Sequence, residues 1–123
     1  MADLMTDIRN LLISSNLLTA KQLFYTTMPP IPDGAVSFRE YSSSNAGFEM
    51  YNRSFQFVSR DLNDKTAEDR AKAILSFLKS QNQVVFNQRP IIMNIKQTVS
   101  KYDTDNRGRH RYVFSVSFLS KLD

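Results

Sequence analysis

The pattern that most constrains the fold is a strict alternation of side chains over residues 111–120. The apolar members occupy every second position, and the residues between them are mostly serine. These apolar residues are Tyr112, Phe114, Val116 and Phe118. Because successive side chains of a strand point to opposite faces of a sheet, this spacing predicts a strand with one buried face. Such a strand requires a second apolar layer against which the sheet can pack.

Residues 90–99 show a similar alternation, in which the apolar Ile91, Met93, Ile95 and Val99 alternate with Asn94, Lys96 and Thr98. They predict a second strand of the same kind. We expect the two strands to form a hairpin joined by a long polar loop that runs from residue 100 to residue 110.

A first helix is predicted over residues 3–14, where apolar side chains recur at helical spacing. These side chains are Leu4, Ile8, Leu11 and Leu12. Asp3 can cap the free amide groups of the first turn, and Asn16 is expected to close the helix.

A second helix is predicted from Thr66 to about Ser80. Its apolar stripe consists of Ala67, Ala71, Ile74, Leu75 and Leu78. Thr66 followed three residues later by Asp69 resembles a capping box, in which the first residue caps the helix. The preceding residues 63–65 are expected to form a turn.

Three further strands are predicted between the two helices, over residues 21–27, 35–41 and 50–60. Residues 28–34 separate the first two, since they contain three prolines and an Asp-Gly turn signal. Residues 42–49 are rich in serine and are expected to form a loop.

These elements predict an α+β fold with the order αβββαββ, a mostly antiparallel sheet and two helices packed on one face. The length of 123 residues fits one domain, predicted over residues 1–123. No apolar run approaches the ~18 residues of a membrane-spanning helix, so no contact with a membrane is expected.

The inventory of reactive side chains argues against an enzyme. The chain has no cysteine and one histidine, His110, so thiolate chemistry and a tetrahedral zinc site are not expected. Residues 103–108 resemble the start of a calcium loop, but Arg107 occupies a ligand position and Phe114 replaces the closing glutamate. We therefore predict no catalytic residue, no metal site and no cofactor.

A basic cluster is the one candidate interaction surface in the sequence. It consists of Arg107, Arg109, His110 and Arg111. These residues could contact phosphates or an acidic protein surface. Alternatively, the arginines of a hairpin tip could simply pair with Asp103 and Asp105.

The order of elements and four segments resemble the tail terminator and minor capsid proteins of long-tailed bacteriophages. The segments are Leu23–Tyr25 after the first helix, the proline-rich break Met28–Asp33, the strand Phe55–Asp61, and the helix Ala67–Leu78 that follows it. The resemblance extends over most of the chain.

This resemblance implies a structural virion protein at the neck, assembled in the host cytoplasm. Proteins of the family form rings, typically of six copies, that cap the tail tube, stop its polymerisation and offer a surface to the head connector or closure protein. The implied partners are further copies of the chain, the tail tube protein, the head connector and, in passing, the DNA in the lumen. Sheet edges and the predicted loops 42–49 and 100–110 would supply the contacts between subunits.

Two alternatives remain at this stage. One is a small nucleic-acid-binding module that uses the basic hairpin 107–111. The other is a different neck or tail component, such as a head-closure protein or a tube subunit.

Overall fold

The computed structural model describes residues 4–25, 27–47, 50–80, 83–86, 89–94 and 98–121. The helices are α1 (Leu4–Ser14) and α2 (Asp64–Ser80). The strands are β1 (Leu23–Tyr25), β2 (Ala35–Gly47), β3 (Met50–Asp61), β4 (Gln83–Phe86), β5 (Arg89–Asn94), β6 (Ser100–Thr104) and β7 (His110–Lys121).

All seven strands belong to one sheet, whose main path runs β1-β2-β3-β7-β5-β4. β7 pairs with β3 along its length, and its other side pairs first with β6 and then with β5. Only β1 is parallel to its neighbour β2; the other described pairs are antiparallel. The predicted α+β class and mostly antiparallel sheet are confirmed, with β4 and β6 as additional short strands.

The core lies on one face of this sheet, which we call the helix face. Phe57 of β3 is at its centre, stacked between Phe38 of β2 and Phe114 of β7. The ring centroids lie 5.2 Å and 5.0 Å apart, and the ring planes are nearly parallel. Buried side chains of both helices join this cluster, so the prediction that they pack on one face is confirmed. Neither described helix is long and apolar enough to cross a membrane.

The helix ends agree in part with the predictions. Asn16 has φ +65°, and the left-handed conformation ends α1 as expected. The start predicted for α2 is wrong: Asn63 caps the helix, because its Oδ1 accepts the backbone N–H of Thr66 at 2.9 Å. Thr66 is therefore the third residue of α2 rather than its cap. The predicted cap Asp3 lies outside the described residues.

The loop predicted over residues 42–49 is wrong for most of its length. β2 continues through Ser42–Gly47 and pairs with Met50–Ser54 of β3. A register shift between Glu40 and Ser42 lets the strand continue past its apolar part. Serine side chains do not contribute to the apolar alternation that predicts a strand. These residues form a strand because their backbone groups pair with those of β3. Residues 48 and 49 lie outside the described residues.

The predicted loop from residue 100 to residue 110 is also corrected. Its first half is β6, which pairs with the start of β7, so the hairpin at this point is β6–β7 with a short turn. The strand predicted over residues 90–99 is shorter: β5 ends at Asn94 and pairs with Ser117–Leu119 of β7. Residues 95–97 lie outside the described residues.

Candidate interaction site

The face of the sheet opposite the helices, here called the open face, contains a groove of about 620 Å³. Two sets of cross-strand neighbours line it: the row Ser37–Val58–Val113 and the pair Arg39–Gln56. Their side chains alternate with the core residues along β2, β3 and β7, so they point away from the helices. We call this cavity the open-face groove.

A proline-rich loop, residues 28–33, borders one end of the open-face groove and is held by two buried arginines. Arg60 donates from Nε to the carbonyl oxygen of Asp33 at 3.1 Å and from Nη2 to that of Pro32. Arg109 donates from Nη1 to the carbonyl oxygen of Pro30. Burial lowers the pKa of Arg60, and the nearby positive charge of Arg109 lowers it further. The loop therefore depends on side chains from β3 and from the start of β7.

The tip of the β6–β7 hairpin is organised by one carboxylate, that of Asp105. Its Oδ1 accepts the backbone N–H groups of Arg107 at 2.9 Å and Arg109 at 3.0 Å, and its Oδ2 accepts Arg109 Nε at 2.8 Å. Gly108 completes the turn with φ +76°, a conformation that favours glycine. Burial alone would raise the pKa of Asp105, but these hydrogen bonds outweigh it and place the pKa below its usual value.

Arg111 lies on the same face and forms a bidentate pair with Asp103 of β6. Its guanidinium carbon lies 5.0 Å from the ring centroid of Tyr102, whose side chain is exposed at the rim of the open-face groove. The hydrogen bonds from Arg111 lower the pKa of Asp103. In this pair, much of the positive charge of Arg111 is compensated.

His110 lies in a strand, not in the loop predicted from residue 100 to residue 110. It begins β7 and points to the helix face, where Nδ1 lies 3.1 Å from Lys101 Nζ and 3.5 Å from Asp64 Oδ1. Its side chain is partly buried. Asp64 also accepts the hydroxyl of Tyr112 at 2.8 Å and Lys101 Nζ at 3.1 Å. This cluster joins the β6–β7 hairpin to the first turn of α2.

Stability at alkaline pH is expected to depend on Tyr112. Its hydroxyl donates to Asp64, and this hydrogen bond raises the pKa of Tyr112 to about 12, from a usual value of 10.0. The neutral phenol is therefore favoured in the folded state, so its stabilising contribution is complete below pH 10 and is lost as the pH rises towards 12. We expect Tyr112→Phe to lower the urea midpoint at pH 8. Between pH 10 and pH 12, the midpoint of the variant should fall less steeply with pH than that of the unmodified protein. If the urea midpoint fell equally steeply with pH in both proteins over that interval, this role of Tyr112 would be contradicted.

The same hydrogen bond, together with Lys101, lowers the pKa of Asp64. A carboxylate whose pKa is lower in the folded state stabilises the fold at a pH above its pKa in the unfolded chain. This contribution is lost as the pH falls through the pKa of the folded state. The Asp64 cluster is therefore expected to weaken at both extremes of pH.

The structure separates the four residues of the predicted basic cluster. Arg109 and Arg111 lie on the open face, and each forms the predicted pair with Asp105 or Asp103. Arg107 is exposed at the turn, and His110 points to the helix face. The four side chains therefore do not form one continuous patch.

The arginines Arg39 and Arg60 line the open-face groove but do not belong to the basic cluster predicted from the sequence. Each occupies a polar position in the alternation of its strand, and this signal predicts only that the side chain points away from the core. In the described part of the chain, no group of histidine, aspartate or glutamate side chains has the arrangement of a metal site. The groove offers guanidinium, amide and hydroxyl groups beside the apolar side chains of Val58 and Val113, an arrangement suited to binding.

The sequence model of the bacteriophage tail terminator protein family matches residues 4–123. The matched range includes every helix and strand described above. No curated protein matches the chain.

Proposed function

The chain belongs to the bacteriophage tail terminator family and is therefore a structural component of the virion tail; from this membership we propose that it caps the completed tail tube. In this role it stops further polymerisation of the tube at the neck and offers a docking surface to the head connector. It acts by binding, without a catalytic step. The match over residues 4–123 is the observation that carries this proposal.

We further propose that the protein acts as a ring, typically of six copies, assembled in the host cytoplasm. The outer edge of β2 supports this part of the proposal. β1 pairs with β2 at Val36, Ser37 and Phe38, so the outer edge of residues 39–44 has no strand beside it among the described residues. A free strand edge is a ready template for pairing with another chain, which here would be the neighbouring copy.

Arg107 is the residue of the predicted basic cluster best placed for a passing contact with DNA. It is exposed at the hairpin tip, whereas Arg109 and Arg111 are held by aspartates. In the proposed ring, this tip faces the lumen and contributes positive charge to it. A separate nucleic-acid-binding module would need several unpaired cations, because its affinity grows with the number of phosphates neutralised.

An early stop codon in the phage gene provides the test of the capping role. In a non-suppressing host, we expect electron micrographs of the lysate to show abnormally long tail tubes beside full heads without tails. Supplying the intact gene from a plasmid should restore normal tails, which controls for effects on neighbouring genes.

The same micrographs distinguish the other neck and tail roles. Tails of normal length that fail to join heads would assign the protein to head closure or joining. Absence of tubes would assign it to the tube itself. Normal infectious particles would refute any essential role in tail assembly.

A further inference from the structure

We propose that the open-face groove binds an extended segment of a partner protein through a single carboxylate, with the guanidinium of Arg39 as its anchor. The inference rests on the groove itself and does not require the capping role. The partner segment is defined by its chemistry: one aspartate or glutamate flanked by apolar side chains.

Arg39 differs from the other arginines that line the groove. Its side chain is exposed, and within the described residues its one hydrogen bond is donated from Nη2 to Gln56 Oε1 at 3.3 Å. No carboxylate of the described part of the chain lies within 4.0 Å of it, as an ion pair would require. A guanidinium presents five donors in a planar fork that fits a carboxylate. Arg39 therefore retains most of its capacity to bind an acidic group.

The floor of the groove beside Arg39 is apolar. Val58 of β3 and Val113 of β7 are direct partners in the sheet, and Ser37 of β2 adjoins Val58 on the other side. Both valines line the groove and are half-buried, so they are open to contact from above. Apolar side chains that flank a bound carboxylate would bury part of this floor.

The proline-rich loop and Tyr102 both line the groove and limit what can lie in it. Met28 and Pro30 belong to the loop that Arg60 and Arg109 hold in place, and the exposed ring of Tyr102 lies beside Arg111. An extended peptide segment can lie along the groove between these side chains, and its backbone can contact the hydroxyl of Ser37 and the amide of Gln56.

The charges favour a protein segment over a nucleic acid. Arg109 and Arg111 are compensated by Asp105 and Asp103, and those carboxylates would repel additional phosphates. Duplex DNA carries a charge every ~1.7 Å along its axis and is bound through several cations at once. Arg60 also forms no ion pair among the described residues, but it is buried and donates to the carbonyl oxygens of Pro32 and Asp33. Among the described residues that line the groove, Arg39 is therefore the one exposed guanidinium without an ion pair, so the site matches one isolated negative charge.

The test is an NMR titration of the full ¹⁵N-labelled chain with two matched probes. One is a capped pentapeptide with glutamate between two valines and serines at the ends; the other carries glutamine in place of the glutamate. We expect saturable shifts at Arg39, Gln56 and Val58 with the glutamate peptide. The glutamine peptide should bind at least about tenfold more weakly, since it lacks a charge-assisted hydrogen bond.

Two variants complete the experiment. Arg39→Gln should reduce the affinity for the glutamate peptide to that of the glutamine peptide, whereas Arg9→Gln on α1 should leave it unchanged. Equal binding of the two peptides, shifts confined to other surfaces, or no shifts at millimolar peptide would overturn the proposal. If a short DNA duplex moves the same resonances and displaces the peptide, the groove is a nucleic-acid site instead.

Discussion

Replacing Phe57 by alanine is expected to destabilise the protein by about 3–5 kcal/mol, the range for removing a buried aromatic ring from a core. The side chain is fully buried in β3 and stacks on Phe38 and on Phe114. Removing it therefore takes away two ring contacts at once and leaves a cavity between three strands and the helices. The backbone hydrogen bonds between β2, β3 and β7 hold the neighbouring side chains in place, so these side chains cannot move far enough to fill the cavity. Urea unfolding followed by circular dichroism would measure the loss.

Tyr41→Ala is the matched control, because it removes an aromatic ring from an exposed position on β2 of the same sheet. We expect a change within about 0.5 kcal/mol for this variant. If Phe57→Ala were no more destabilising than Tyr41→Ala, the stacked row of phenylalanines would not be the centre of the core.

The elements with periodic apolar side chains were predictable from the sequence. The alternation over residues 111–120 corresponds to β7, and the predicted stripe of α2 is buried at every position. Hydrophobic periodicity reports burial directly, because each apolar side chain that leaves water lowers the free energy of the folded state. The α+β class and the placement of both helices on one face follow from these patterns.

Elements held mainly by backbone pairing were not predictable in the same way. Ser42–Ser44 extend β2 although their side chains are exposed, and β6 has no buried side chain. Such strands exist because a neighbouring strand supplies hydrogen bonds, and that information lies elsewhere in the chain. The start of α2 was misplaced because Asn63 and Thr66 are both common caps, and only the geometry shows which one accepts the amide.

The candidate site illustrates the same limit for charged residues. A run of basic residues indicates positive charge along the sequence, but adjacent side chains of a strand point to opposite faces. Arg109 is thus buried and His110 faces the helix, although they are neighbours. On β3, Arg53 occupies a core-facing position, where it donates from Nε and Nη2 to the carboxylate of Glu40 on β2 at 2.8 Å and 2.9 Å. Such pairings join distant positions and leave no local signal.

Replacing Arg60 by methionine is expected to destabilise the protein by about 2 kcal/mol and to release the proline-rich loop from the open face. Methionine preserves much of the aliphatic stem but donates no hydrogen bond to the carbonyl oxygens of Pro32 and Asp33. Hydrogen bonds from charged groups contribute more than neutral ones, and a buried acceptor left unpaired adds its desolvation cost. Part of the loss is offset, since removing Arg60 also relieves its repulsion with Arg109.

The control is Arg39→Met, which replaces an exposed arginine on the same face and is expected to change stability by less than about 0.5 kcal/mol. The ¹⁵N relaxation of the Ile31 and Asp33 amides gives a second readout, because a released loop moves more on the nanosecond timescale while the core strands remain rigid. Arg60→Lys should fall between the two variants, since an ammonium group keeps the charge but lacks the planar fork. If Arg60→Met were as stable as Arg39→Met and left the loop amides unchanged, the loop would hold its position without Arg60. The shape of the open-face groove would then not depend on the buried arginine.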